Sequence, residues 1–313
     1  MALLFVLYRQ VTEQVGQEEV LISIIQNWTL AKSPLLVLSF LLVFCNWALE
    51  SHKWNLLLGP LKLPKRKALK GVFMGQSIGI LTPANLGDYG GRQLVLKKDQ
   101  IQEGLAASFL ASMAQNLANI LPGFLGALLL YNLLYPASEY INLALSLFIL
   151  LASLTLYLLY VHLPSIIGVA WEKIPFDWLK KIEKHLHQNQ SYTRNQLDQA
   201  LVFSLLRYSV YTLQYILLLY FFQVEVSVLE ALAGISFIYL IQSGLPLPPV
   251  LAILARGELA ILIWSQFEAA ALPILSATFT LWVINKVIPA LIGMSLVLGI
   301  ESKQEVLDTV ADR

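Results

Sequence analysis

The chain has 313 residues, 57% of them hydrophobic and 13% charged, with a mean hydropathy of +0.67. A soluble domain carries about twice that share of charge, so the composition excludes an ordinary water-soluble enzyme and a disordered chain alike. The formal net charge of +1 implies no nucleic-acid partner, and the single cysteine, Cys45, can form no intrachain disulfide. The chain therefore reads as an all-α polytopic membrane protein, a single integral membrane domain over 1–313.

Met1–Tyr8 is apolar but too short to span a bilayer or to serve as a normal signal peptide; it fits the end of a helix. Runs of about 18 or more apolar residues predict spanning helices at 33–49, 105–131, 140–161, 201–222 and 272–299. With the N-terminal fragment this makes about six transmembrane helices. Gly71–Leu96 and Val228–Trp264 are different, being apolar but interrupted near their middles by Pro, Gly and ionisable residues. The connection 163–200 contains an amphipathic stretch, with Trp178, Leu179, Ile182 and Leu186 on one helical face and Lys180, Lys181, Lys184 and His185 off it. Such a stretch is expected to lie on an anionic cytoplasmic leaflet. His185 and His187 lack a third ligand and read as surface histidines, not a metal site. Residues 300–313 form a cytoplasmic tail.

Lys and Arg counts orient the loops. Ser51–Lys70 holds Lys53, Lys62, Lys65, Arg66, Lys67 and Lys70, and Leu163–Ala200 holds Lys173, Lys180, Lys181, Lys184 and Arg194. Asn132–Glu139, Gln223–Glu230 and Ser265–Leu272 hold none. The first two loops are expected to be cytoplasmic and the other three external, in a plasma (inner) membrane. Parity then requires 71–96 to start and end inside and 228–264 to start and end outside. Both segments are predicted to be re-entrant hairpins, entering from opposite faces.

An offset of 166 residues pairs Gln76 with Gln242, Ser77 with Ser243, Pro83 with Pro249, Gly91 with Gly257 and Asn119 with Asn285. It also sets Arg92 opposite Glu258. The predicted topology makes these halves, about 1–131 and 140–299, inverted repeats, an architecture in which broken helices meet at a midplane site.

The residues that could carry chemistry cluster in the broken segments. Thr82 before Pro83 reads as a helix start, whose free amides and dipole would attract a phosphate or carboxylate. Pro248 and Pro249 would act alike in the second hairpin. Asp88, Arg92, Arg256, Glu258 and Lys286 are ionisable groups in apolar surroundings, where a charge costs at least ~2.5–3.5 kcal/mol and is usually paired or functional. Arg92 and Glu258 are expected to meet as an ion pair across the repeat axis. The polar lining of the cavity is completed by Gln76, Ser77, Asn85, Asn119, Gln242, Ser243 and Asn285. Gln115 and Asn119, four apart, share a face and either line the cavity or join helices. Arg207 reads as an interfacial anchor. No nucleotide loop, nucleophile elbow or paired-carboxylate motif is present, so the chain is not expected to be an enzyme or to need a cofactor.

From Gln76 to Arg92 the pattern is a polar start, Pro83, then Gly87-Asp88, two residues, and Gly91-Arg92. This resembles the first signature of the lysylphosphatidylglycerol synthase/flippase transmembrane family. His52-Lys53-Trp54-Asn55-Leu56-Leu57 is similar to that family's basic-Trp-x-x-Leu-Leu segment. The resemblance implies a stand-alone lipid-translocating domain without the aminoacyl-transferase domain. The chain departs from the family pattern in Asn85, where a basic residue is common, in Asp88, where Glu is usual, and in the glycine-poor stretch after Pro249. The expected function is a flippase-like translocator moving an anionic or lipid-linked phosphate headgroup through a polar midplane cavity, with membrane lipids as partners. The alternatives are a non-catalytic membrane partner of a lipid- or glycan-modifying enzyme, with Ser51–Lys70 as docking surface, or a membrane enzyme acting on lipid-linked sugars or phosphates.

Overall fold

A computed structural model describes residues 32–135, 138–170, 192–244 and 249–311. Met1–Tyr8, most of the amphipathic stretch with His185 and His187, and Pro248 lie outside the described residues. In chain order the helices are α1 (Ser33–Leu57), α2 (Lys65–Gly79), α3 (Leu86–Gln93), α4 (Ile101–Leu134), α5 (Glu139–Ala170), α6 (Arg194–Phe221), α7 (Val228–Gly244), α8 (Pro249–Trp264), α9 (Ala271–Trp282) and α10 (Ile288–Ala311), with one π-turn, Val283–Val287, joining the last two. The five predicted long spans are all helical. Among the described residues five helices are long and apolar enough to cross a membrane, namely α1, α4, α5, α6 and the continuous α9–α10 rod.

The side-chain distribution is the reverse of a soluble fold. On α1 the inward face carries Ser39, Asn46, Glu50, Lys53 and Trp54, all buried, while Val37, Leu38, Phe40, Leu41 and Phe44 are exposed. On α5, Tyr140, Leu143, Leu147, Leu150, Leu151, Leu154 and Leu158 are exposed, and only 6% of its most apolar window is covered. Exposed leucines in such contiguous numbers need lipid around them. The molecule is a polytopic, membrane-embedded helical protein, and α5 is its lipid-facing flank.

The two interrupted segments fold as helix–break–helix units. In the first, α2 and α3 lie so close that a Cβ added at Gly91 would sit 2.5 Å from the Met74 carbonyl oxygen and 2.7 Å from the Gly75 Cα. Between them the chain turns through Ala84 (φ 51°) and Asn85 (φ 55°), both left-handed. Asn tolerates that region and Ala does not, so Ala84 carries local strain. The predicted helix start is displaced: Thr82–Pro83 opens a 3-10 turn, and α3 begins three residues later at Leu86. Thr82 still supplies the cap, its hydroxyl accepting from the Gly87 amide at 2.7 Å and donating to the Gly79 carbonyl at 3.0 Å. In the second unit α8 is described from Pro249, and Trp264 packs back against Gly234 of α7.

Each unit packs on the other half of the chain. Gly123 and Gly126 of α4 admit Leu240 and Ser236 of α7, and Gly293 of α10 admits the Phe73 backbone of α2. Two apolar clusters form, each drawing mainly on one half. One surrounds Trp54, Val72 and Leu110; the other surrounds Ile235, Trp264 and Ile274. The polar groups of α1, α6 and the π-turn meet beside the first cluster, against Trp47 and Trp54.

Candidate functional site

The site is built on α1. Its apolar run predicts an end near residue 49, but the helix continues to Leu57 and presents Asn46, Glu50 and Lys53 on one inward face. Glu50 is the hub. Its Oε1 accepts from Arg92 Nη2 at 2.8 Å, and its Oε2 accepts from Arg207 Nη1 at 2.5 Å and pairs with Lys53 Nζ at 2.8 Å. Arg92 is held from the other side by Asp88, Nε to Oδ2 at 2.9 Å and Nη2 to Oδ2 at 2.7 Å. Arg207 Nε donates to Asn46 Oδ1 at 2.6 Å, and Asn46 Nδ2 donates to Asn285 Oδ1 at 2.8 Å. Glu50, Lys53, Arg92 and Arg207 are all nearly inaccessible. Aromatic faces back the guanidinium groups: Arg92 lies 5.8 Å from the Trp54 ring, and Arg207 lies 5.4 Å from Trp47 and 5.5 Å from Tyr211.

Several expectations are corrected here. Arg92 and Glu258 do not pair, because Arg92 is taken by Glu50 and by Asp88 one helical turn away. The Glu258 Oε1 atom has no hydrogen-bond partner among the described residues, and Glu258 does not line the cavities. Arg207 is no interfacial anchor, since its charge is consumed in the buried network. Lys53 belongs to α1 and not to a solvated basic loop, being 1% exposed and hydrogen-bonded to Gln115 Oε1 at 3.2 Å.

Two adjoining cavities open on this network. The first, about 230 Å³, is lined by Glu50, Lys53, Gln76, Asn85, Asp88, Tyr89, Arg92, Gln115, Asn116, Arg207 and Lys286 among others. The second, about 170 Å³, is lined by Gln115, Asn119, Arg207, Tyr208, Tyr211, Tyr215, Tyr239, Gln242, Arg256, Asn285 and Lys286. Gln115, Arg207 and Lys286 are common to both. Lys286 and Asn285 lie on the π-turn Val283–Val287, a wider turn that brings both neighbouring side chains to the cavity wall. Lys286 Nζ reaches Gln76 Oε1 at 3.4 Å and has no carboxylate partner among the described residues.

Of the sequence-predicted residues, Gln76, Asn85, Asp88, Arg92, Asn119, Gln242, Arg256, Asn285 and Lys286 line the cavities. Ser77 is buried and donates to the Met74 carbonyl at 2.8 Å, Thr82 caps the first break, and Ser243 accepts from Asn119 Nδ2 at 3.2 Å. These three serve the frame, and Glu258 stands apart. Glu50, Asn46, Lys53, Arg207 and the tyrosines of α6 and α7 escaped the sequence reading. Their signal was spacing: Asn46, Glu50 and Lys53 recur at four and three residues, as do Tyr208, Tyr211 and Tyr215. Among the described residues no group of three His, Cys, Asp or Glu side chains is placed to hold a metal ion.

Long apolar helices around a buried, charged, doubly hinged cavity define a multi-pass membrane protein with an internal polar site. The family model for the lysylphosphatidylglycerol synthase TM region matches residues 19–293, and the chain belongs to that family. No curated protein and no solved structure matches the chain.

Proposed function

We propose that the protein is a flippase-like lipid translocator in which an anionic headgroup crosses the membrane through the two cavities while the acyl chains remain in lipid. One observation carries the reading. The cavity walls hold five basic side chains, Lys53, Arg92, Arg207, Arg256 and Lys286, against two carboxylates, Glu50 and Asp88. Buried charge is costly in an apolar bundle and persists where it is balanced or used. A surplus of three positive charges is balanced by a bound anion, and a phosphate-bearing headgroup supplies it. No cofactor and no bond-making residue is needed for exchange down a gradient.

The architecture supports the same reading. The two helix–break–helix units act as re-entrant hairpins entering from opposite faces of a plasma membrane, with the basic segment before α2 and the α5–α6 connection cytoplasmic. The exchange of packing between halves, Gly126 with Ser236 and Gly293 with Phe73, supports an inverted repeat in which the two halves share one site. The test is transbilayer movement of labelled anionic and zwitterionic lipids in proteoliposomes, with wild type beside Arg92→Ala and Lys286→Gln. Selective movement of anionic lipid, reduced at least tenfold in both variants, is expected. Correctly inserted wild type that moves neither lipid, with or without a proton gradient, overturns the proposal.

A further inference from the structure

The two cavities differ in how far their polar groups are already satisfied. In the first, Lys53, Arg92 and Arg207 each touch a carboxylate. The second is lined by Arg207, Arg256 and Lys286 and, among the described residues, by no Asp or Glu. Three of its buried side-chain atoms have no hydrogen-bond partner among the described residues: Arg256 Nε, Gln242 Nε2 and the Tyr239 hydroxyl. Two of these donate only, and the hydroxyl can donate. Buried donors are almost always paired, and an unpaired one costs the desolvation of the group. Lys286 adds ammonium protons of which one meets Gln76 at 3.4 Å.

Convergent donors, cationic surplus and absent carboxylates specify a ligand rich in acceptors, compact and negatively charged. We infer that the second cavity, between α6, α7, α8 and the π-turn, is a seat for a phosphate group, with Arg256, Gln242, Tyr239 and Lys286 as its donors. The inference deepens the translocator reading and rests on it only for the route by which a headgroup arrives. Arginine and lysine supply charge-assisted bonds, and the amide and phenol complete a set matched to tetrahedral oxygens. Lys53 and Arg92, which line the first cavity alone, then hold the carboxylates in place and do not face the phosphate, while Arg207 lines both cavities. The phosphate is either the phosphodiester or monoester of a lipid or free inorganic phosphate, and the chemistry of the seat is the same for both.

The experiment uses the full chain in nanodiscs of zwitterionic lipid, titrated with inorganic phosphate, with dihexanoyl phosphatidic acid, and with chloride at equal ionic strength. Binding is read by calorimetry and by the shift of the unfolding temperature. Saturable binding of phosphate or of the short lipid, absent with chloride, is expected; the stronger of the two names the source. Arg256→Gln is expected to weaken it at least tenfold, and Tyr239→Phe three- to tenfold. Because the Tyr239 hydroxyl has no partner to lose, the ligand-free Tyr239→Phe protein is expected to unfold at the same temperature or higher, which separates loss of ligand from loss of fold. Lys98→Gln, on the exposed turn before α4, leaves binding unchanged. Binding no stronger than chloride, or equal in wild type and both cavity variants, overturns the seat. Lipid movement indifferent to Arg256 and Tyr239 overturns the seat alone, whereas phosphate binding without lipid movement supports the seat and removes the translocator reading.

Discussion

Glu50 and Arg207 meet at 2.5 Å although 157 residues separate them, and the pair joins α1 to α6 at the centre of the bundle. The same carboxylate also receives Arg92 from the first hairpin and Lys53 from its own helix. One acidic group thus contacts and aligns three basic ones from three helices, and Asp88 supplies the second anion. The network joins the central helices α1 and α6 to α3 of the first hairpin.

Removing Glu50 leaves three buried cations facing one another. Breaking a buried pair by deleting one partner costs about 3–5 kcal/mol, because the remaining charge is uncompensated. Glu50→Ala is therefore expected to lower the thermal unfolding midpoint sharply or to abolish folded yield in detergent. Asp88→Asn is expected to cost less, since Arg92 keeps Glu50. Thermal unfolding of the purified variants checks the order, and an Asp88→Asn protein less stable than Glu50→Ala contradicts it.

Gly75 is the point at which hairpin packing touches the site. A Cβ there would run into the Asp88 carboxylate and sit 2.7 Å from Arg92 Cγ. Overpacking of this kind costs typically ~1–3 kcal/mol, and here the strain falls on the Asp88–Arg92 pair. Gly75→Ala is expected to fold but to lose most lipid movement. Gly71→Ala, whose Cβ would meet Val95 and Trp54 away from the carboxylates, is expected to lose stability with a smaller loss of movement. The two variants are compared by unfolding midpoint and proteoliposome assay side by side.

The spanning helices were legible because lipid requires long apolar runs, and nothing in the fold overrides that requirement. The breaks at Pro83 and Pro249 were legible for a similar reason, since Pro removes an amide wherever it stands. Glu50 and Lys53 were hidden because charges directly after an apolar run look like the start of a solvated loop. Only the partners, Arg92 and Arg207, show that α1 continues with its polar face inward. The choice of Glu258 for Arg92 followed the repeat register and passed over Asp88, four residues away on the same helix, where side chains meet by geometry alone.

Trp54, fully buried, ties α1 to α4 through a 3.1 Å bond from Nε1 to Ser108 Oγ, with Arg92 over its ring. Trp54→Phe removes the donor and part of the ring face and leaves a small void. A net loss of about 1–3 kcal/mol is expected from the lost bond and lost packing, the Ser108 hydroxyl keeping its bond to the Gly104 carbonyl. Ser108→Ala keeps the ring packing but leaves the buried indole N–H unpaired and removes the Ser108 bond to the Gly104 carbonyl, and is expected to cost about 1–3 kcal/mol. A double-mutant cycle read by thermal unfolding isolates the coupling, expected to be favourable, and a coupling of zero removes the role assigned to the bond.

The proposed re-entry of the two hairpins makes a prediction that a single crossing cannot share. Lys62 precedes the first hairpin and Lys98 follows it; Glu225 precedes the second and Glu268 follows it. With Cys45 replaced by Ser, single cysteines are placed at these four positions and labelled from one side of sealed membranes by an impermeant maleimide. If both hairpins re-enter, Lys62→Cys and Lys98→Cys label from the cytoplasmic side, and Glu225→Cys and Glu268→Cys from the other. A hairpin that instead crosses once splits its pair between the two sides. The basic segment Lys65–Lys70 fixes the sign of the result, because positive loops are retained in the cytoplasm. Matching pairs with the two hairpins on opposite sides would establish the inverted arrangement on which alternating access to the cavities depends.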